Sequence, residues 1–233
     1  PRHGTCCHQT SPLGSVGRVD FRTFKIPLAT PFRGITSRQG MVARGESGWA
    51  EFSPFLEYDH DQCVPWLQAA MEAADRGWPE PVRSSIPVNG IIPAIGGGAE
   101  AVALAKLSGC RTVKVKVAQA GETLSNDIER LSAIRAALPD ATIRIDANGA
   151  WRVDEAVKAI RKLDDAAGGL EYVEQPCASV EELAKVRAQV HVLIAADESI
   201  RRVADPFRVR DLKAADIAVL KVESDSPLPF VAF

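Results

Sequence analysis

Residues 112–118 read TVKVKVA, a run in which Lys114 and Lys116 alternate with three valines. Successive side chains of a β-strand point to opposite faces, so Val113, Val115 and Val117 share one face and both lysines share the other. Two arrangements satisfy that pattern. In one, the strand lies at a sheet edge with its lysines in solvent, where they discourage pairing with another chain. In the other, the lysine face lines a site that needs cationic amines. The flanking sequence has to decide.

On both sides the chain alternates strand-like and helix-like stretches. The strands read IPVNGIIPAI, TVKVKVA, TIRIDAN, LEYVEQP, VLIAADES and DIAVLKV. Between them the spacing predicts helices over Ala99–Ser108, Ser125–Ala137, Val153–Asp165, Val180–Ala188 and Pro206–Leu212. Such repeats are βα units, which require a parallel sheet and right-handed crossovers. Six successive units without a G-x-G-x-x-G fingerprint favour a (β/α) barrel over a dinucleotide-binding sheet. AIGGGAE (94–100) lacks that spacing and reads as a loop.

Upstream, VDFRTFKIPL, ATPFRGITSRQG and GMVARGESGWAEFSPF read as short strands punctuated by Gly, Pro and Ser. A helix follows over Asp61–Arg76, with Val64, Leu67, Ala70 and Met71 on one stripe. GWPEPVRSSIP (77–87) reads as a linker. The expected organisation is α/β, with a disordered leader over 1–18 and an α+β domain over 19–85. A (β/α) barrel over 86–222 and a tail over 223–233 complete it.

The 233 residues are 46% hydrophobic and 25% charged with a formal net charge of −2, so no basic surface for nucleic acid or anionic membrane stands out. The apolar runs are strand-length, too short for a membrane-spanning helix. PRHGTCCHQTSPLGSVG lacks the charged-then-apolar pattern of a secretory signal. Five scattered cysteines argue for reduced thiols and a cytoplasmic setting. His3, Cys6, Cys7 and His8 match no zinc spacing.

In a (β/α) barrel the chemistry stands where strands end and loops begin. Those positions hold Lys114, Lys116, Asp146, Glu174, Asp197 and Lys221. Three carboxylates on consecutive parallel strands converge at one mouth, and such a convergence is costly without a counterion. A hard divalent cation such as Mg²⁺ takes oxygen ligands and relieves it. Singly, each acid reads equally as a helix-capping carboxylate. Glu198 directly follows Asp197, so the residues alone leave open which of the two would be a ligand.

The ordered set K-x-K, DANGAW, EYVEQP, AADES and VLK resembles the enolase superfamily, in its muconate-lactonizing-type branch. RTFKIPLATPFRGI, GWAEFSPFLEYD and GCRTVKVKVA extend the likeness, which runs from about Val19 to Val222. The resemblance implies an incomplete (β/α) barrel of the enolase type with an N-terminal α+β capping domain. It also implies a Mg²⁺-dependent lyase acting on a small carboxylate. The expected reaction dehydrates 2-succinyl-6-hydroxy-2,4-cyclohexadiene-1-carboxylate to 2-succinylbenzoate in menaquinone biosynthesis.

By resemblance Lys116 is the base and then the acid, Lys114 helps to lower its pKa, and Lys221 stabilises the enediolate anion. Asp146, Glu174 and Asp197 would hold the metal. Phe32, Arg33, Phe52, Ser53 and Asn148 are candidate substrate contacts. Asn148 reads equally as a turn residue. The same residues would serve an N-succinylamino acid racemase or a dipeptide epimerase.

Family members continue past the last lysine with a Gly-rich turn and two further strands, whereas this chain reads ESDSPLPFVAF. A truncated or frameshifted reading is therefore expected, with weak activity or a non-catalytic remnant as the consequence. Oligomeric state is left open.

Overall fold

The computed structural model describes residues 19–32, 35–201 and 207–221. They form two compact units, 19–81 together with Lys221, and 82–220. The leader with His3, Cys6, Cys7 and His8 lies outside the described residues, as does Arg33.

The first unit is an antiparallel sheet of β1 (Asp20–Phe32), β2 (Ile35–Arg44) and β3 (Trp49–Phe52), followed by α1 (His60–Arg76). The expected breaks at Leu28 and Gly40 do not occur. β1 runs on through Pro27 and Pro31, with a register shift between Pro27 and Phe32. It is an outer strand, where a missing N–H is tolerated. Gly40 lies inside β2 because a Cβ there would stand 2.5 Å from Ser53 Cβ and 2.9 Å from Phe24 Cζ.

Asp59 caps α1 by accepting from the Gln62 N–H at 2.9 Å, and the Gln62 side chain accepts from the Asp59 N–H in return. The buried stripe is Trp66, Ala69, Ala70, Ala73 and Ala74, rotated from the expected one, so Val64, Leu67 and Met71 are only half-buried. Alanines win this face because the backbone comes close: a Cβ at Gly45 would lie 2.4 Å from Ala74 O.

The second unit repeats strand and helix: β4 (Asn89–Ile92), α2 (Gly98–Ser108), β5 (Thr112–Lys116), α3 (Leu124–Ala137), β6 (Thr142–Asp146), α4 (Val153–Ala167) and β7 (Tyr172–Glu174). α5 (Val180–Arg187), β8 (Leu193–Ala196), α6 (Glu198–Arg201), α7 (Arg208–Asp211) and β9 (Ile217–Ala218) follow. All six strands are parallel and neighbour one another in chain order, β4 to β9. That order contains no reversal of the kind that defines a doubly wound sheet, so the unit is an incomplete (β/α) barrel.

Helix starts are written locally. Thr123 with Asn126 and Ser179 with Glu182 exchange reciprocal capping bonds at the heads of α3 and α5. α2 begins at Gly98, inside the stretch read as a loop, where Glu100 Oε2 accepts from the Gly97 N–H at 3.0 Å. The helix read over Pro206–Leu212 is only the single turn α7 among the described residues.

Val113, Val115, Ile143, Ile145, Val173 and Ile194 are buried to 1% exposure or less. They pack with Leu131, Ile134, Ile160, Leu163 and Leu183 from the helices. Each such side chain contributes about 1.5–3 kcal/mol, so the valine face of TVKVKVA builds the core. β5 lies between β4 and β6, which rules out the solvated edge strand. Among the described residues no helix is long and apolar enough to cross a membrane.

Candidate active site

Register brings the polar residues together. Lys116 pairs with Asp146 across β5 and β6, Asp146 with Glu174 across β6 and β7, and Glu174 with Ala195 on β8. Asp197 stands two residues beyond Ala195 and so returns to the same face. The main-chain ladder continues one step past each strand: Val117 N–H donates to Asp146 O at 3.0 Å, Ala147 N–H to Glu174 O at 3.1 Å, and Gln175 N–H to Ala195 O at 2.8 Å. Asp146 and Glu174 are therefore each locked to the strand beside them.

Asp146, Glu174 and Asp197 are all buried, at 0%, 1% and 3% exposure, and the two lysines reach into them. Lys114 Nζ donates to both oxygens of Glu174, at 3.0 and 2.9 Å, and lies 3.2 Å from Asp146 Oδ2. Lys116 Nζ donates to Asp146 Oδ2 and, at 2.8 Å, to Asn148 Oδ1. Asn148 Nδ2 in turn donates to Glu198 Oε1 at 3.3 Å, and the Asn148 N–H donates to Asp146 Oδ1 at 3.0 Å. Asn148 adopts a left-handed φ of 48°, so it is a turn residue that also accepts from Lys116.

The electrostatics separate the two paired acids. Burial pushes the Asp146 carboxyl up, but the Lys116 and Lys114 ammonium groups and the Asn148 N–H overcome it and hold Asp146 below its ordinary value. Burial also raises Glu174, and the neighbouring Asp146 and Asp197 charges add to the rise that Lys114 only partly offsets. Lys114, expected to help lower the basicity of Lys116, is itself shifted. Burial does lower it, yet the Glu174 and Asp146 carboxylates more than reverse this and hold it above the usual lysine range.

The expected convergence of acids is met only in part. Among the described residues no three His, Cys, Asp or Glu side chains gather closely enough to grip an ion unaided. Lys114 bridges Asp146 and Glu174 instead, because repelling carboxylates are held together by whatever cation lies nearest. The donor set still fits a hard divalent cation by its chemistry. Its oxygens are carboxylate, they lie in register on one face, and Glu174 carries the repulsion of both neighbouring acids.

The remaining expected residues belong to the first unit. Lys221 is half-buried three residues past the short β9, not at a strand end. Phe52 closes β3, and Ser53 is buried with its hydroxyl accepting from Arg38 and donating to Glu51. The side chain of Phe32, like all of Arg33, lies outside the described residues.

Sequence reasoning passed over Gln175. This fully buried amide follows Glu174 at a φ of 40°, and its signal was a polar residue between a buried strand and a proline.

Residues 98–224 match the family described as enolase C-terminal domain-like, and residues 23–74 match the enolase N-terminal domain-like family. The chain belongs to the enolase superfamily. Within it, the chain is 58% identical over 203 residues to the o-succinylbenzoate synthase of Thermobifida fusca, covering 87% of this chain and 63% of that protein. It thus spans about three fifths of the length of the curated relatives it matches.

Among solved structures, the o-succinylbenzoate synthase of Thermosynechococcus elongatus, complexed with Mg in the active site, shares 25% identity at a TM-score of 0.64. That alignment covers 89% of this chain and 77% of the other. The substrate-liganded L-Ala-D/L-Glu epimerase of Bacillus subtilis shares 25% identity at a TM-score of 0.74, over 89% and 74%.

Proposed function

We propose that this chain carries the site of an o-succinylbenzoate synthase, a Mg²⁺-dependent hydro-lyase of menaquinone biosynthesis. The observation that carries the reading is the registered row Lys116, Asp146, Glu174 on one sheet face, together with 58% identity to a named synthase. The substrate is 2-succinyl-6-hydroxy-2,4-cyclohexadiene-1-carboxylate and the product 2-succinylbenzoate.

The hard step removes a proton from carbon beside a carboxylate. Asp146, Glu174 and Asp197 would hold Mg²⁺, which would supply Lewis-acid stabilisation of the negative charge that develops there. Lys116 takes the proton at Nζ and returns it to the departing hydroxyl, so that C–H and C–O bonds break and water leaves. This step needs the free electron pair of an amine at Nζ. Asn148 orients Lys116 through Oδ1. Lys114 holds Glu174 in line; by the family likeness alone, Lys221 would offer positive charge to the anionic intermediate.

The test is Mg²⁺-dependent formation of 2-succinylbenzoate by the chain, with Glu174→Gln as control. The reading expects turnover that needs Mg²⁺ and is lost in the variant. Racemisation of N-succinylamino acids without dehydration would instead favour the epimerase-like reading, which the TM-score of 0.74 to the B. subtilis enzyme keeps in play.

A further inference from the structure

We infer that Gln175 is the positioning residue of the carboxylate row, setting where Asp197 stands relative to Asp146 and Glu174. The inference rests on the metal reading above. Gln175 Oε1 accepts from the Asp197 N–H at 2.9 Å and the Ser199 N–H at 3.1 Å. Its Nε2 donates to Cys177 O at 2.8 Å and Ser199 Oγ at 2.7 Å. Two accepted and two donated bonds use the full capacity of the amide. The orientation of the amide is fixed, since only its oxygen can accept from two backbone N–H groups.

Its main chain spans the other side. The Gln175 N–H donates to Ala195 O at 2.8 Å, and its carbonyl accepts from the Gly149 N–H at 2.6 Å. One residue therefore ties together the ends of β6, β7 and β8, where Asp146, Glu174 and Asp197 stand. Ala195 and Asp197 are 0% and 3% exposed, so little else but protein holds the Asp197 backbone in place. The φ of 40° turns the Gln175 side chain out of the strand and toward β8, a conformation that a non-glycine residue adopts at a cost. A buried amide with every bond satisfied repays that cost and rigidifies its surroundings.

Partners that orient metal ligands typically change metal affinity by about 10–100-fold when removed. The probe is Mg²⁺ alone, titrated calorimetrically into the whole chain and into Gln175→Met, which keeps the length of the side chain and loses all four bonds. The expected result is Mg²⁺ binding at least about tenfold weaker in the variant, with Ser199→Ala, which removes one donated bond, close to wild type.

Equal affinity in Q175M and wild type overturns the inference alone. So does a lower metal-free melting temperature without loss of affinity, the mark of a merely structural amide. Absence of Mg²⁺ binding by the wild type overturns the metal reading and this inference with it. Should Q175M not fold, Gln175→Glu carries the test. It keeps the accepted bonds but sets a carboxylate against Cys177 O, so affinity must fall despite the added negative charge, and an unchanged or tighter affinity refutes the inference.

Discussion

The second unit holds two buried charge clusters built on opposite plans. On the lysine face of the sheet, Lys114 and Lys116 meet Asp146 and Glu174. On the helix side, the fully buried Arg130 donates to Asp127, to Glu122 Oε2 at 2.9 Å and to Gly96 O at 3.3 Å. Asp127 Oδ2 closes that network on the Ala118 N–H at 3.1 Å. The two terminal nitrogens of Arg130 are spent on fixed partners, while its buried Nε finds none among the described residues; an ammonium, by contrast, is a point charge on a flexible stem. The arginine cluster is thus permanent. It pins the loop that leaves β5, two residues past Lys116, while the lysine cluster, on the proposed function, would yield its carboxylates to a metal cation. On that reading the geometry of the cation, and not burial alone, separates a structural ion pair from a working one.

Breaking the exchangeable cluster should have the largest effect. Lys116→Ala is expected to lower dehydration by about 10²–10⁴-fold, the usual contribution of a proton-transfer group. Product formation at saturating Mg²⁺ measures it, and near-normal turnover would remove Lys116 from the mechanism.

Breaking the permanent cluster should act on folding instead. Arg130→Ala leaves Asp127, already raised above its ordinary value by burial, without its main counter-charge. A loss of about 3–5 kcal/mol is expected in urea unfolding, with Mg²⁺ affinity changed little in the folded fraction. Equal effects of the two variants on affinity would erase the contrast.

A third pair, more exposed, sharpens the scale. Asp216 accepts from Arg187 at 2.8 Å and from the Ile194 N–H at 2.9 Å. Burial pushes Asp216 up, but these partners hold it below its ordinary value. A depressed carboxyl stabilises the fold fully above its ordinary range and loses that contribution as pH falls through the lower folded value. Asp216→Asn should therefore cost at most about 1 kcal/mol at neutral pH, and the gap to wild type should close on acidification. A gap that widens at low pH would reverse the sign.

Legibility followed periodicity. The alternation of TVKVKVA, the spacing of the helical stretches and the order of acids at strand ends are local patterns, and they carried the βα repeat and the candidate acids. The first unit was harder. The breaks assigned at Leu28 and Gly40 were misplaced because Pro27 sits on an outer strand and Gly40 under Ser53 and Phe24, contacts distant in sequence. The buried stripe of α1 was misjudged for the same reason, since a close backbone favours alanine over larger apolar residues.

What the sequence determined by itself was which residue types stand at which strand ends, because side-chain direction in a strand repeats every two residues. Tertiary structure alone decided who neutralises whom: that Lys114 bridges Asp146 and Glu174, that Asn148 links Lys116 to Glu198, and that Gln175 ties three loops together. Such pairings join residues from 22 to 60 positions apart and depend on strand register and on burial, which strengthens every charge it encloses. Neither quantity is written in any local stretch of the chain.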